Sequence, residues 1–399
     1  MKLQDYEEIL GAEKIDSIRN LASKLEGKTI QHINSTAAGG GVAEILKRLV
    51  PLMEDVGLRV FWDVLEGTPE FFRVTKVFHN AFHGQWVDVN QDMLDLYRRV
   101  NRRNQDIIRG DADFVIIHDQ QPLGLTEVRS GHPGRWIWYC HIDPVDADPR
   151  VWNFLRPMVT WCDASVYHLP EYVKDADRRH YIMPPAIDPL ADKNRELPEQ
   201  EIESIMEKLS IPVDLPLLMQ VSRFDWLKDP IGVIGAFHLV RQEIPCRLVL
   251  TGGGASDDPE GVQVLEAVLR EAAEDPDIFI RELPSGSDLE INALQRSAAV
   301  IIQKSVREGF GLTVTEGLWK GRPLVASPVG GIKTQVLHEE TGLQAQAVEE
   351  VAAASVRLLN DSKLARRLGN AGKEHVRDNF ILPVYLERWL EMLINESPS

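Results

Sequence analysis

TIQHINSTAAGGGVAEILKRLVPLMEDVG, residues 29–57, opens on a short apolar-rich run, passes three consecutive glycines and continues into a segment with apolar residues every three or four positions. The spacing predicts a strand over 29–35, a Gly-rich loop, and then an amphipathic helix. A strand, a loop and a helix in that order form the repeating unit of a parallel sheet covered by helices. The same alternation runs outward from it. RVFWDVL (59–65), DFVIIHD (113–119), WIWYCHID (136–143), SVYHLP (165–170) and YIMPPAID (181–188) read as further strands. Residues 3–25, with Leu3, Tyr6, Leu10, Ile15, Ile18, Leu21 and Leu25 at helical spacing, precede them as one or two amphipathic helices.

A second alternating series follows MPPAIDPLADKNRELPEQ (183–200), whose adjacent prolines and polar remainder predict a linker. Its strands read at 216–225, 246–254, 278–283, 298–305 and 323–331, and its helices at 229–243, 260–273, 288–297, 313–321 and 348–359. VYLERWLEMLI (384–394) carries Tyr385, Trp389 and Leu393 on one helical face. The expected fold class is α/β: two Rossmann-like, doubly wound domains over 1–188 and 189–377, facing a central cleft, with a helix in 378–399 packing back on the first domain. Two domains also suit a chain of 399 residues.

The formal charge of −17 opposes binding to duplex nucleic acid or anionic lipid, both of which ask for basic surface. The partners expected are therefore small molecules, not nucleic acid or membrane, and a homodimer is left open. Cys140, Cys162 and Cys246 are scattered, without metal-ligand spacing, as in a reducing compartment. No apolar run near the N-terminus suits a signal peptide or a membrane span, so a cytoplasmic location is expected.

Three segments can carry chemistry. GGGVAE (39–44) lets backbone approach a phosphate or sugar at a helix N-terminus, or is a tight turn with no ligand. In SRFDWLKDP (222–230), Arg223 at a strand end and Lys228 near a helix start can clamp a diphosphate, or are two solvated surface charges. In SVREGFGLTVTEGLWKGRPLVASPVGG (305–331), Glu308 sits in a Gly-flanked loop and Glu316 in the helix after it. One carboxylate could meet sugar hydroxyls and the other ribose hydroxyls. Alternatively, Glu308 only complements a helix dipole and Glu316 is solvated.

SRFDWLK and EGFGLTVTEGLWKGRPLVASPVGGI resemble the phosphate-binding and Glu-x7-Glu motifs of the retaining GT-B glycosyltransferases of family 4. HINSTAAGGGVAEILKRLVPLMEDVG, FFRVTKVFHNAFHG, CHID, YHLPEY, MPPAIDPL and DDPEG together look like the trehalose glycosyltransferring synthases and the retaining trehalose phosphorylases. The resemblance implies an acceptor-side N-terminal domain and a nucleotide-sugar-binding C-terminal domain. It implies that Arg223 and Lys228 hold the donor diphosphate and Glu316 the ribose, with Gly309, Phe310, Gly311 and Leu312 lining the nucleotide. Glu308 would bind the transferred sugar and stabilise an oxocarbenium-like transition state, and His141 would lie near the reacting carbon. Gly39, Gly40 and Gly41 would approach donor or acceptor, His79, Asn80 and Asp143 would lie near the acceptor, and Glu44 would bind substrate. His32, His118 and His168 are expected as core or cleft-wall residues.

The implied activity is trehalose formation, with retention, from a nucleoside-diphosphate glucose and glucose, without a metal or a cofactor beyond the donor. Alternatives are a trehalose phosphorylase, a glucosyltransferase to another small polyol such as glycerol or a glycerate derivative, and a non-catalytic sugar-binding module. LTGGGASDDPEG departs from the trehalose-forming pattern in its three glycines, which bears on acceptor choice.

Overall fold

The computed structural model describes residues 1–38, 40–253, 259–284 and 286–397, with the side chains of 259 and 260 undescribed. The chain forms two compact units: Met1–Ala186 together with the segment from Leu382, and Ile187–Ile381.

The first unit is built on six parallel strands: β1 (Thr29–Asn34), β2 (Arg59–Val64), β3 (Phe114–His118), β4 (Arg135–Cys140), β5 (Ala164–Tyr167) and β6 (His180–Ile182). They lie in the order β2-β1-β3-β4-β5-β6. Every residue of β1 and β3 is buried, as a sheet covered on both faces requires. Strands β4, β5 and β6 stop earlier than the runs read as strands suggest. At the end of β4, the Asp119 carboxylate takes the His141 backbone N–H at 2.7 Å, withdrawing it from the ladder. After β6, Pro184 and Pro185 have no N–H to give.

The helix Leu382–Glu396 completes this unit. Tyr385, Trp389 and Leu393 are buried, and the Tyr385 hydroxyl donates to that of Tyr139 at 3.2 Å. At its end, the Glu396 carboxylate receives the Tyr181 hydroxyl at 2.7 Å and pairs with Arg179 at 3.2 Å.

The second unit repeats the architecture with β7 (Leu217–Val221), β8 (Arg247–Gly253), β9 (Ile278–Leu283), β10 (Val300–Gln303), β11 (Leu324–Ala326) and β12 (Leu343–Gln344). Their order is β12-β11-β10-β7-β8-β9, all parallel. Two residues of β12 are too few for a periodic signal. The helix Ser362–Asn379 also lies outside the sequence reading, because glycines stand where its packing face would carry apolar residues. A Cβ on Gly369 would come within 2.1 Å of the Gly321 carbonyl oxygen.

The expected linker is largely packed structure. Asn292 donates to the Asp192 carbonyl at 2.7 Å, the Trp319 indole to the Asn194 carbonyl at 3.1 Å, and Arg296 to the Arg195 carbonyl at 3.0 Å. Its polarity therefore satisfies buried donors of the second unit instead of facing water, and the helix Glu199–Lys208 starts directly after Pro198. Among the described residues, no helix is long and apolar enough to cross a membrane.

Gly252, in the triple glycine, is required by close backbone approach: a Cβ there would fall 1.8 Å from the Ser222 carbonyl oxygen, whereas one on Gly253 meets nothing within 4 Å. Gly252→Ala is expected to cost about 1–3 kcal/mol in urea unfolding, and Gly253→Ala far less. Equal losses would contradict the close contact.

Candidate active site

In parallel α/β units, loops at the strand C-termini gather ligand-binding side chains. In the second unit these are the loops after β7 and β10. They are stitched together by the Val306 N–H donating to the Leu227 carbonyl at 2.8 Å, and Gln220 holds the Lys228 carbonyl at 2.7 Å. Lys228 ends a short 3-10 turn, Trp226–Lys228, before the helix Pro230–Glu243. Its ammonium pairs directly with the Glu308 carboxylate, the two side chains being 15% and 13% exposed. A second pair crosses the same two loops, Lys304 with Asp229. Asp229 has left-handed backbone (φ 47°) and also caps the helix by accepting from Gly232 N–H at 3.0 Å. Sequence reasoning missed Lys304, because an isolated lysine after a strand has no motif.

Arg223 is not brought into this cluster in the same way. Its side chain is 67% exposed and its guanidinium lies 3.5 Å from Asp225. The Gly309–Leu312 backbone is fixed from below: Gly331 N–H donates to the Gly309 carbonyl at 3.1 Å and Gln335 to the Phe310 carbonyl at 2.6 Å. The Phe310 ring is buried against Phe380, so backbone is what this position can offer a ligand. Gly311 is left-handed (φ 87°), and a Cβ on it would lie 3.2 Å from Glu308 Cγ. Leu312 begins the helix Leu312–Trp319.

Glu316 is not solvated. Its side chain is 4% exposed, with Lys193 Nζ at 3.7 Å. One turn on, Lys320 donates to Asn194 Oδ1 at 3.2 Å and to the Glu316 carbonyl at 3.3 Å. Burial pushes the Lys320 ammonium down to about 7, against the pull of Glu316. Lys193 and Lys320 were not singled out by sequence because Lys193 lies in the apparent linker.

In the first unit, Gly39 lies outside the described residues, as do 254–258 of the second. Gly40 (φ 88°) precedes the helix Gly41–Asp55, and Glu44 lies exposed in its first turn. His79 and Asn80 are half-buried on the helix Pro69–Phe82, where His79 stands edge-on to His83 at 4.7 Å. Asp143 is buried and accepts the Val145 N–H at 2.9 Å.

His141 stacks on Tyr139 at 3.9 Å between centroids. Its Nε2 is 2.8 Å from His118 Nδ1 and its Nδ1 is 3.3 Å from His168 Nε2, while His118 Nε2 meets His32 Nδ1 at 3.0 Å. The histidines expected in the core thus bond to the one expected at the reacting carbon. Burial lowers His32 and His168 to about 3 and holds His118 and His141 well below the usual imidazole range, neighbouring rings adding to the effect for the latter two. Asp119, which holds the His141 backbone from a left-handed conformation (φ 61°), is raised to about 7 by burial.

Residues 32–174 match the family model described as trehalose synthase, N-terminal domain, and residues 201–375 match glycosyl transferases group 1. A trehalose synthase of Pyrococcus horikoshii is 43% identical over 398 residues, covering 98% of this chain and 96% of that protein. One of Rubrobacter xylanophilus is 43% identical over 390 residues, covering 96% and 94%. Among solved structures, a UDP-forming α,α-trehalose-phosphate synthase from Burkholderia xenovorans superposes with a TM-score of 0.74 at 18% identity, covering 94% of this chain and 100% of the other. That likeness carries the two-domain GT-B fold.

The lowered Lys320 gives a stability signature. Between about pH 7 and the ordinary lysine value of about 10.4, the unfolded chain binds a proton that the folded chain lacks. This group's penalty is therefore complete below about pH 7 and is relieved as pH rises through that window. The unfolding free energy of the wild type minus that of Lys320→Met is expected to rise between pH 7 and 10 in denaturant titrations; a flat difference would contradict it.

Proposed function

This chain belongs to the trehalose synthase family of GT-B glycosyltransferases, and from that premise we propose that it forms trehalose by transferring glucose, with retention, from a nucleoside-diphosphate glucose to glucose. The observation that carries the donor reading is the charge arrangement after β7 and β10. Lys228 and Lys304 are each balanced by one carboxylate, across loops whose backbones are tied together. An incoming diphosphate competes with Glu308 for the Lys228 ammonium, and Glu308, released, turns to the transferred sugar. Arg223, exposed beside Asp225, is free to swing onto the same phosphates as a forked donor. Buried Glu316 suits two ribose hydroxyls, with the Lys193 ammonium beside it at 3.7 Å.

Transfer with retention asks for positioning and charge balance more than for a strong nucleophile. The leaving diphosphate gains negative charge as the glycosidic bond lengthens, and Lys228 and Arg223 offset it. Glu308 faces the positive charge that grows on the sugar ring. The acceptor hydroxyl loses its proton to the departing phosphate on the same face, so no protein base is needed. His141, Asp143, His79, Asn80, Glu44 and the loop Gly40–Gly41 are assigned to sugar hydroxyls.

Incubation with nucleoside-diphosphate glucoses and glucose is expected to give a product whose NMR spectrum shows one symmetric anomeric doublet of small coupling, and trehalose with nucleoside diphosphate the reverse reaction. Two unlike spin systems, transfer to glycerol but not glucose, or glucose 1-phosphate from trehalose and inorganic phosphate alone would overturn the assignment. Lys228→Ala is expected to lose about 1.5–3 kcal/mol of transition-state binding in kcat/KM. Glu308→Gln should keep nucleotide binding and lose most turnover; full activity in either variant would contradict the roles given.

A further inference from the structure

Residues 192–195, which the sequence presents as part of a linker, are held by side chains at two helices of the second unit. From the helix Asp288–Ser297, Asn292 donates to the carbonyls of Asp192 at 2.7 Å and Arg195 at 2.8 Å. Arg296 of the same helix donates to the carbonyls of Asn194 at 3.3 Å and Arg195 at 3.0 Å. At the end of the helix Leu312–Trp319, the Trp319 indole also donates to the Asn194 carbonyl, and Lys320 donates to the Asn194 side-chain oxygen. All four of these side chains belong to buried residues, so backbone on both sides of Lys193 is fixed from within.

A lysine side chain has more rotamer freedom to lose than most, so a fixed base is what lets its ammonium be held in one place. Lys193 Nζ lies 3.7 Å from Glu316 Oε1 and 3.8 Å from Asp288 Oδ1, with Lys193 15% and Asp288 43% exposed. The ammonium thus stands between a buried carboxylate and one open to solvent. Both separations are ion-pair distances, longer than the ~2.7–2.9 Å of a charge-assisted hydrogen bond. Lys320, the other lysine near Glu316, directs its ammonium to the Glu316 backbone carbonyl and to Asn194.

An ionised carboxylate can only accept hydrogen bonds and an ammonium can only donate them, whereas a hydroxyl does both. A vicinal diol that gives both its protons to Glu316 keeps lone pairs on both oxygens. Beside a buried group, leaving those oxygens without a donor costs binding free energy. An ammonium next to the carboxylate supplies the donor: a hydroxyl oxygen lodged between Nζ and Oε1 accepts from the one and donates to the other. Because the donor is charged, that bond is stronger than a neutral one. Charge balance alone would be met by a lysine on a loose segment, whereas a donor that must meet one atom needs the fixed backbone found at Asp192, Asn194 and Arg195.

We propose that Lys193 is a further nucleotide-binding residue, giving an N–H to a hydroxyl oxygen of the ribose diol whose protons Glu316 accepts. Lys193, Glu316 and Asp288 all belong to the second unit, so the contact is made within that unit. The proposal rests on the ribose reading of Glu316 above.

The test is calorimetric titration of adenosine, guanosine and uridine diphosphates, each beside its counterpart lacking both ribose hydroxyls, into the full-length protein and its variants. The wild type is expected to prefer the ribose form of the nucleotide it binds. In Lys193→Met that preference should narrow about tenfold, the whole loss falling on the ribose form while affinity for the dideoxy form stays as it was. The same comparison between Glu316→Gln and Glu316→Gln/Lys193→Met leaves no carboxylate stranded at position 316, and decides the matter if Lys193→Met does not fold. There too, removing the lysine should lower ribose affinity alone. An unchanged preference overturns the proposal, as do equal losses for the ribose and dideoxy forms, which would give Lys193 a purely structural role. An effect seen in Lys193→Met but absent in the Glu316→Gln background overturns it as well, because the lysine then acts only through the carboxylate. A wild type that binds the diphosphates without preferring ribose overturns the ribose reading of Glu316, and one that binds none of them overturns the donor reading.

Discussion

The ion pair between Lys228 and Glu308 ties together the two loops of the second unit on which the candidate site is built. Each charge is mostly withdrawn from water, so neither can stand there unpaired without a large desolvation cost. The pair therefore holds the loops after β7 and β10 in one arrangement, helped by Lys304 with Asp229 and by the Val306 to Leu227 hydrogen bond. It also creates a site that asks for an anion: any group that replaces Glu308 on Lys228 must carry negative charge. In the proposed donor reading, stability of the free protein and affinity for a phosphate draw on the same ammonium.

The scaffold beneath is a consequence of alternation. Parallel strands buried on both faces send successive loops to the same sheet edge, so residues distant in sequence arrive together. Lys228 and Glu308 meet across 80 positions in this way. In the first unit the same rule, with a two-residue offset at each step, aligns His32, His118 and His141, while the helix from Leu382 covers His32 with Trp389.

What was legible in the sequence follows from signal length. The long apolar strands, the Gly-rich loop before Gly41 and the Glu-x7-Glu spacing announce both sheets and the residues around Glu308. Contacts that depend on register left no local mark, which is why His32 and His118 read as core residues and not as partners of His141. The polar stretch through Asn194 looked like a linker because polarity reads the same whether it faces water or buried donors such as Trp319 and Arg296. Gly369 hid a helix by replacing the apolar side chain that would have shown its period.

The proposed exchange of Glu308 for a diphosphate on Lys228 is tested directly by calorimetric titration of nucleoside mono- and diphosphates into the wild type, Glu308→Gln and Lys228→Gln. The account expects a diphosphate advantage in the wild type that grows in Glu308→Gln, where the competing carboxylate is neutral, and disappears in Lys228→Gln. An advantage unchanged in all three proteins would contradict it.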